Sequence, residues 1–208
     1  MVKVRIGFGA GTAGLGDGGT RFGELVDALE RNGFDSIWCS ERATGPVSSP
    51  APSTTSMASL ATVNLAPASG SLVSGKLELR PMADGVHVTG EIGGLAGGST
   101  HAVHIHEKGD CSAADASSAG GHFNPDGAPH GRVGAGPHHA GDMDNIVANA
   151  EGVARVDVHA SGVVLGGGAI NDVAGKAIVV HAAPDDYRSQ PAGNAGARVA
   201  CGVVAVAR

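Results

Sequence analysis

Hydrophobic and polar residues alternate along much of the second half of the chain. The alternation is clearest over residues 73–80, 86–92 and 154–158, where most odd or most even positions are apolar. A period of two is typical of β-strands with one buried face. Two continuous apolar runs, 177–180 and 199–207, predict strands that are buried more fully. Glycine-rich turns separate these segments, so the pattern predicts an antiparallel β-sandwich or barrel.

The first 60 residues follow a different pattern. Residues 2–8 alternate like a strand, the apolar positions within 22–29 share one helix face, and 35–39 are typical of a second strand. Residues 44–60 are rich in Ser, Thr, Pro and Ala, which predicts a flexible linker. We therefore expect three parts: a short βαβ-like N-terminal fragment of uncertain role (1–43), a linker (44–60) and an all-β domain (61–208).

Composition and charge exclude several functional classes. The net charge is −6, which argues against nucleic acid as a partner. No stretch of about 18 apolar residues exists, so we expect no membrane span. Glycine makes up 35 of 208 residues but has no three-residue period, which excludes collagen. The chain also shows no basic segment followed by a short apolar one, so we recognise no signal peptide.

The N-terminal fragment carries a glycine motif that suggests a dinucleotide site. Residues 9–14 spell G-x-G-x-x-G after a strand, but no helix pattern follows directly, and 43 residues cannot form a Rossmann domain. The motifs VRIGFGAGTAG and RFGELVDALERNGFDSIWC resemble the start of luciferase-like flavin- or deazaflavin-dependent oxidoreductases. Such barrels need about 250 residues, so we infer no such activity from residues 1–45.

Histidines are concentrated in one part of the chain. None of the 10 precedes His87, and seven fall between His101 and His139. His104 and His106 stand two apart on a predicted strand and therefore share a face, which makes half of a metal site. Chance surface histidines remain the alternative for this pair alone.

The segment 107–141 contains eight glycines and no convincing strand, so we expect a long loop. His122, His130 and His139, with Asp142 three residues further on, supply the three nitrogens and one oxygen that suit tetrahedral zinc. A merely polar, histidine-rich loop is the alternative. His181 ends an apolar strand and could add an imidazole to the pair on the earlier strand.

Five motifs together resemble the copper–zinc superoxide dismutases, in their bacterial form, over residues 61–208. They are HAVHIHEKGDC (101–111), AGGHFNPDG (119–127), HHAGDM (138–143), IVVHAAPDDY (178–187) and GNAGARVACGVV (193–204). The resemblance implies a Greek-key antiparallel β-barrel with long metal-binding and electrostatic loops. It also implies one copper and one zinc per chain.

The resemblance assigns the metal ligands residue by residue. Copper would be held by His104, His106, His122 and His181. Zinc would be held by His122, His130, His139 and Asp142. His122 would bridge the two metals and would also carry a proton in catalysis. His138, beside His139, is the alternative zinc ligand, although the spacing to Asp142 favours His139.

Other family roles fall on residues around the metals. Asp185 would link a copper-ligand imidazole to a zinc-ligand imidazole, and Arg198 would dock the superoxide anion beside copper. Cys111 and Cys201 would form the intrachain disulfide.

Outside the motifs, we expect Cys39 to be a free thiol. His101 would lie near the site without binding metal, whereas His87 and His159, which alternate with core residues, are expected to be exposed. Lys108 and Arg188 are candidates for steering the substrate.

The function that follows from the resemblance is the conversion of superoxide to oxygen and hydrogen peroxide by copper redox cycling, with zinc as a structural metal. The alternatives are an inactive, dismutase-like copper- and zinc-binding module and, less strongly, a zinc hydrolase, for which we find no suitably placed carboxylate base. The resemblance and the cysteines indicate the periplasm. The oligomeric state stays open, with a homodimer as one option.

Overall fold

The structure, a computed structural model, describes residues 61–207. This part of the chain is built of antiparallel strands and one short 3-10 helix, Ser117–Ala119. The strands are β1 (Ala61–Pro67), β2 (Ser74–Met82), β3 (Gly85–Gly93), β4 (Thr100–His101), β5 (Val103–His106), β6 (Ile146–Val147), β7 (Ala154–Ser161), β8 (Ala177–His181), β9 (Arg198–Val203) and β10 (Ala205–Val206). The expected all-β class is therefore confirmed for the described residues.

The strands form one curled sheet in the order β5-β8-β9-β1-β2-β3-β7, with β10 also paired to β1. Strand β1 joins the two halves, because Ala61–Leu65 pair with β2 whereas Ala66 and Pro67 pair with β9. After β3 the chain crosses to β5 at the far edge, returns to β7 and crosses again to β8. These crossings are the connectivity of a Greek-key barrel. A separate two-stranded sheet pairs β4 with β6.

The core lies inside the curl of the sheet. The inward positions of the alternating strands are completely buried, as in Leu77 and Leu79 of β2 and Val86 and Val88 of β3. On β5 the inward residues are Val103 and Ile105. The outward residues between them, His104 and His106, are also buried, because long loops cover that side of the strand.

The strands predicted from hydrophobic periodicity are confirmed, and the loop expected over 107–141 contains only the 3-10 helix. Strand β1 was not predicted, although Ala61, Val63 and Leu65 alternate with polar or exposed residues. The N-terminal fragment, the linker and Cys39 lie outside the described residues. Among the residues that the structure describes, no helix is long and apolar enough to cross a membrane.

The disulfide expected between Cys111 and Cys201 is present. It fastens the loop after β5 to strand β9 and lies beside a small cluster of buried side chains. That cluster contains Ala68, Ala116, Ala119, Ala177, Val179 and Cys201. The bond closes a loop with a sequence separation of 90 residues, so it removes much conformational freedom from the unfolded chain.

Replacing both half-cystines, in the double variant Cys111→Ser/Cys201→Ser, should lower the free energy of unfolding by about 4–5 kcal/mol, because the chain-entropy contribution of a loop of this length is lost. Urea unfolding of the metal-free protein under non-reducing conditions measures the difference. Cys39→Ser leaves both half-cystines in place and is the control. A double variant within about 1 kcal/mol of the wild type would contradict the expected role of the bond.

Candidate metal centre

Four buried imidazoles meet on the outer side of β5, and we call them the first cluster: His104, His106, His122 and His181. One ring nitrogen from each lies within 4.8 Å of the others. His104 and His106 share a face of β5, and His181 ends the neighbouring strand β8. His122 comes from the loop but is held by an isolated antiparallel bridge to His106. The sheet therefore fixes all four backbones.

Hydrogen bonds decide which nitrogen of each ring is left to bind a metal. His104 donates through Nε2 to Asp185 at 2.8 Å, and His106 donates through Nδ1 to the carbonyl of Gly120 at 2.9 Å. His181 has the carbonyl of Gly196 3.4 Å from its Nδ1. Each ring therefore turns its other nitrogen, with a lone pair, toward the centre of the cluster.

The inward nitrogens of the first cluster fit a metal ion. His104 Nδ1 and His122 Nε2 are buried without any hydrogen-bond partner. His106 Nε2 and His181 Nε2 lie only 3.4 Å apart. Burial lowers the pKa of His106 to about 2 and the pKa of His181 to about 3, so both rings are neutral at physiological pH. Neutral imidazole is the form that coordinates a metal.

The second cluster consists of His122, His130, His139 and Asp142, whose ligand atoms also lie within 4.8 Å of one another. Asp142 Oδ1 is 2.8 Å from His122 Nδ1, 3.0 Å from His130 Nδ1 and 3.4 Å from His139 Nδ1. This set of three nitrogens and one carboxylate oxygen is the kind of site that zinc occupies.

The loop itself orients the carboxylate of Asp142. Its Oδ2 accepts hydrogen bonds from the backbone N–H groups of Gly131 and His139, at 3.1 and 2.8 Å. Burial alone would raise the pKa of Asp142, but the hydrogen bonds from His122 and from these N–H groups hold that pKa well below its usual range. Asp142 is therefore ionised and ready to bind a cation.

A second buried carboxylate, that of Asp185, joins the two clusters. Its Oδ2 lies 2.8 Å from His104 Nε2, and its Oδ1 lies 2.9 Å from His130 Nε2. Its backbone is held in turn by the side-chain amide of Asn145, with bonds of 2.8 and 2.9 Å. Burial favours a raised pKa for Asp185, but the hydrogen bonds from the two histidines outweigh it and lower the pKa. One carboxylate thus orients one histidine ring from each cluster.

Arg198 begins β9, directly across from His181 in the β8–β9 pairing. Its guanidinium is half-buried and donates to the carbonyls of Ala116 and Gly120, at 2.7 and 2.6 Å. The carbonyl of Gly120 also accepts the bond from His106. Arg198 is therefore a fixed cation next to the first cluster, with further N–H groups available to an anion.

The other predicted residues lie outside the two clusters. His101 is buried between Ser99 and the carbonyl of His181 and belongs to neither cluster. His138 does not belong to the second cluster, and its Nδ1 lies 2.7 Å from the carbonyl oxygen of His139. Lys108 and Arg188, the two candidates for steering, are both exposed.

One expectation about the remaining histidines needs correction. His87 and His159 were expected to be exposed, but both side chains are about two thirds buried, with 35% and 33% of their surface accessible. They are direct cross-strand partners on β3 and β7. Each lies near a carboxylate: His87 is 2.7 Å from Asp157, and His159 is 3.3 Å from Asp84.

Gly193 touches the link between the clusters and was not identified from the sequence. It has φ of +63°, and a Cβ at this position would overlap with Oδ1 of Asp185 and lie 2.7 Å from Nε2 of His130. Only glycine therefore allows the backbone to pack against the contact between Asp185 and His130. Gly193 is the first residue of the motif GNAGARVACGVV, but the sequence alone gives no sign that it packs against Asp185 and His130.

Gly193→Ala should weaken zinc binding by roughly 10- to 100-fold, the usual cost of disturbing a partner that orients a ligand. Competition with a chelator of known affinity measures the change. Gly127→Ala is the matched control, because Gly127 has a similar φ of +65° but no atom within 4 Å of the place that an added methyl group would occupy. If both variants lost the same amount of zinc affinity relative to the wild type, backbone strain and not the clash with Asp185 would be the cause of the loss.

Comparison with known proteins gives the chain its family. Residues 73–204 match the family model for copper/zinc superoxide dismutase (SODC). The chain is 45% identical over 135 residues to superoxide dismutase [Cu-Zn] 2 of Aquifex aeolicus, covering 64% of this chain and 79% of that protein. It is 42% identical over 136 residues to superoxide dismutase [Cu-Zn] of Caulobacter vibrioides, covering 63% and 78%.

A solved structure agrees with these matches. The crystal structure of a SOD-like protein from Bacillus subtilis superimposes with a TM-score of 0.63 at 34% identity, covering 69% of this chain and 97% of that one. The fold, the motifs and the family match lead to the same conclusion. The chain belongs to the copper/zinc superoxide dismutase family.

Proposed function

We propose that the two clusters of this superoxide dismutase have different roles, and that the first cluster binds copper and the second binds zinc. The observation that carries the proposal is that two buried nitrogens without partners, His104 Nδ1 and His122 Nε2, face the same centre as the close nitrogens of His106 and His181. When bound, copper would supply one-electron chemistry that oxidises one superoxide to oxygen and, with the uptake of two protons, reduces a second to hydrogen peroxide, while zinc would have no redox role.

The residues of the chain handle the anion and the proton. Arg198 is held by the carbonyls of Ala116 and Gly120, so its remaining N–H groups can orient superoxide beside His106 and His181. His122 directs Nδ1 toward the second cluster, 2.8 Å from Asp142, so Nε2 is the atom that would face copper and that, when not bound to it, can hold a proton and pass it to the product. The two carboxylates keep the rings in place during this transfer.

We also propose that the enzyme works in the periplasm. The Cys111–Cys201 disulfide supports an oxidising compartment, and the relatives named above are bacterial. The homodimer stays a prediction, as does the division of the chain at residues 43 and 60.

Two measurements on the same preparations of the full chain test these metal assignments: the metal content and the rate of superoxide decay. His106→Gln should lose copper and activity but retain zinc, whereas His139→Gln should lose zinc. His138→Gln is the matched control and should keep both metals, because its ring lies outside the second cluster. A wild type that holds one copper and one zinc but does not accelerate superoxide decay would instead indicate an inactive metal-binding module.

Arg198→Gln should lower kcat/KM for superoxide by about tenfold or more and weaken the decline of the rate with rising ionic strength, because a local cation that attracts the anion is lost. Stopped-flow or pulse-radiolysis rates at several salt concentrations measure both effects. Arg155→Gln, which removes an exposed arginine of β7, should change neither. An Arg198→Gln enzyme with the wild-type rate and salt dependence would contradict the docking role.

A further inference from the structure

The side-chain amide of Gln190 forms hydrogen bonds with both the backbone N–H and the backbone carbonyl of His130. The N–H of His130 donates to Oε1 of Gln190 at 2.8 Å, and Nε2 of Gln190 donates to the carbonyl of His130 at 2.8 Å. The two residues are 60 positions apart and belong to the two long loops that cover β5. The two hydrogen bonds therefore cross-link the loops, and His130, one of the residues that they join, belongs to the second cluster.

The ring of His130 has little freedom to move. Its side chain has no accessible surface and lies between Asp142, 3.0 Å from Nδ1, and Asp185, 2.9 Å from Nε2. The two carboxylates fix the orientation of the ring, whereas the backbone of His130 fixes its position. His139, by contrast, has its backbone N–H bound by Asp142 within its own loop. The peptide after His130 is also bound within its own loop, through the Gly131 N–H to Asp142, but the N–H and the carbonyl of His130 itself are both bound by Gln190 of the other loop.

The segment that carries Gln190 is itself well organised. Asp186 accepts hydrogen bonds from the backbone N–H groups of Arg188 and Ser189, at 2.9 and 2.8 Å. The N–H of Gly193 donates to the carbonyl of Ser189 at 2.7 Å, which closes a turn around Gln190. The same turn places Gly193 against the contact between Asp185 and His130. The backbone of this short turn thus packs against the His130 side chain, and the side-chain amide of Gln190 binds the His130 backbone.

We propose that Gln190 is a positioning residue for zinc, which slows the departure of the metal by holding the backbone of His130. The proposal rests on the assignment of zinc to the second cluster. Gln190 does not touch the metal. It acts because His130 can leave the cluster only when its backbone moves away, and that movement breaks two hydrogen bonds that are partly shielded from water.

Zinc transfer from the copper- and zinc-loaded full chain to a chromophoric chelator tests the proposal. Gln190→Met keeps the length of the side chain but removes both bonds, so zinc should leave roughly 5- to 30-fold faster, as expected for two hydrogen bonds. Gln190→Glu retains the acceptor for the His130 N–H but loses the donor to the His130 carbonyl, so it should also release zinc faster than the wild type.

Asn124→Leu is the matched control. The amide of Asn124 binds the backbone of Ala128 in the same two-sided manner, with bonds of 2.9 and 3.0 Å, but Ala128 is not a ligand. This variant should release zinc within about twofold of the wild-type rate. Equal acceleration in Asn124→Leu and Gln190→Met, or none in either, would overturn the proposal.

A spectroscopic measurement separates positioning from general loop stability. With Co²⁺ in place of zinc, the visible absorption bands report the geometry of the ligands, so Gln190→Met should shift them and Asn124→Leu should not. A lowered melting temperature with unchanged bands would show a merely structural role and overturn the proposal. A wild type that binds neither zinc nor Co²⁺ at the second cluster would instead overturn the zinc assignment, and the inference with it.

Discussion

The imidazole of His122 belongs to both clusters, and this one ring constrains the rest of the centre. Its Nδ1 lies 2.8 Å from Asp142, and its Nε2 is buried with no hydrogen-bond partner. A flat ring has its two nitrogens on opposite sides, so the clusters it joins cannot move independently. The backbone bridge between His122 and His106 ties His122 to β5.

The strands and the disulfide hold the two long loops in place. The strand β5 presents His104 and His106 on one face, and the disulfide fastens the first loop to β9. Asp185 then couples His104 to His130 through one carboxylate. Buried nitrogens that lack partners are costly, and metal binding satisfies them. Folding of the loops and metal binding therefore reinforce each other.

The sequence predicts the parts of this structure that have a period or a family motif. Alternation located the longer strands because one face of each is buried, and the motifs named the ligands through resemblance. The contacts between loops could not be predicted. Asn145 and Gln190 act on residues 40 and 60 positions away, and Gly193 is defined by a clash that exists only in three dimensions. The partial burial of His87 likewise depends on its neighbours across the sheet, His159 and Asp157.

The central claim, that His122 faces two metals at once, is tested most directly by electron paramagnetic resonance of Cu²⁺ in the first cluster. The spectrum should be compared with diamagnetic Zn²⁺ and with paramagnetic Co²⁺ in the second cluster. If one imidazole joins the metals, the spins interact through it, and the copper signal of the copper–cobalt protein should be largely lost relative to the copper–zinc protein. A copper signal of equal intensity and shape in both proteins, each loaded with one ion per cluster, would contradict the shared ligand.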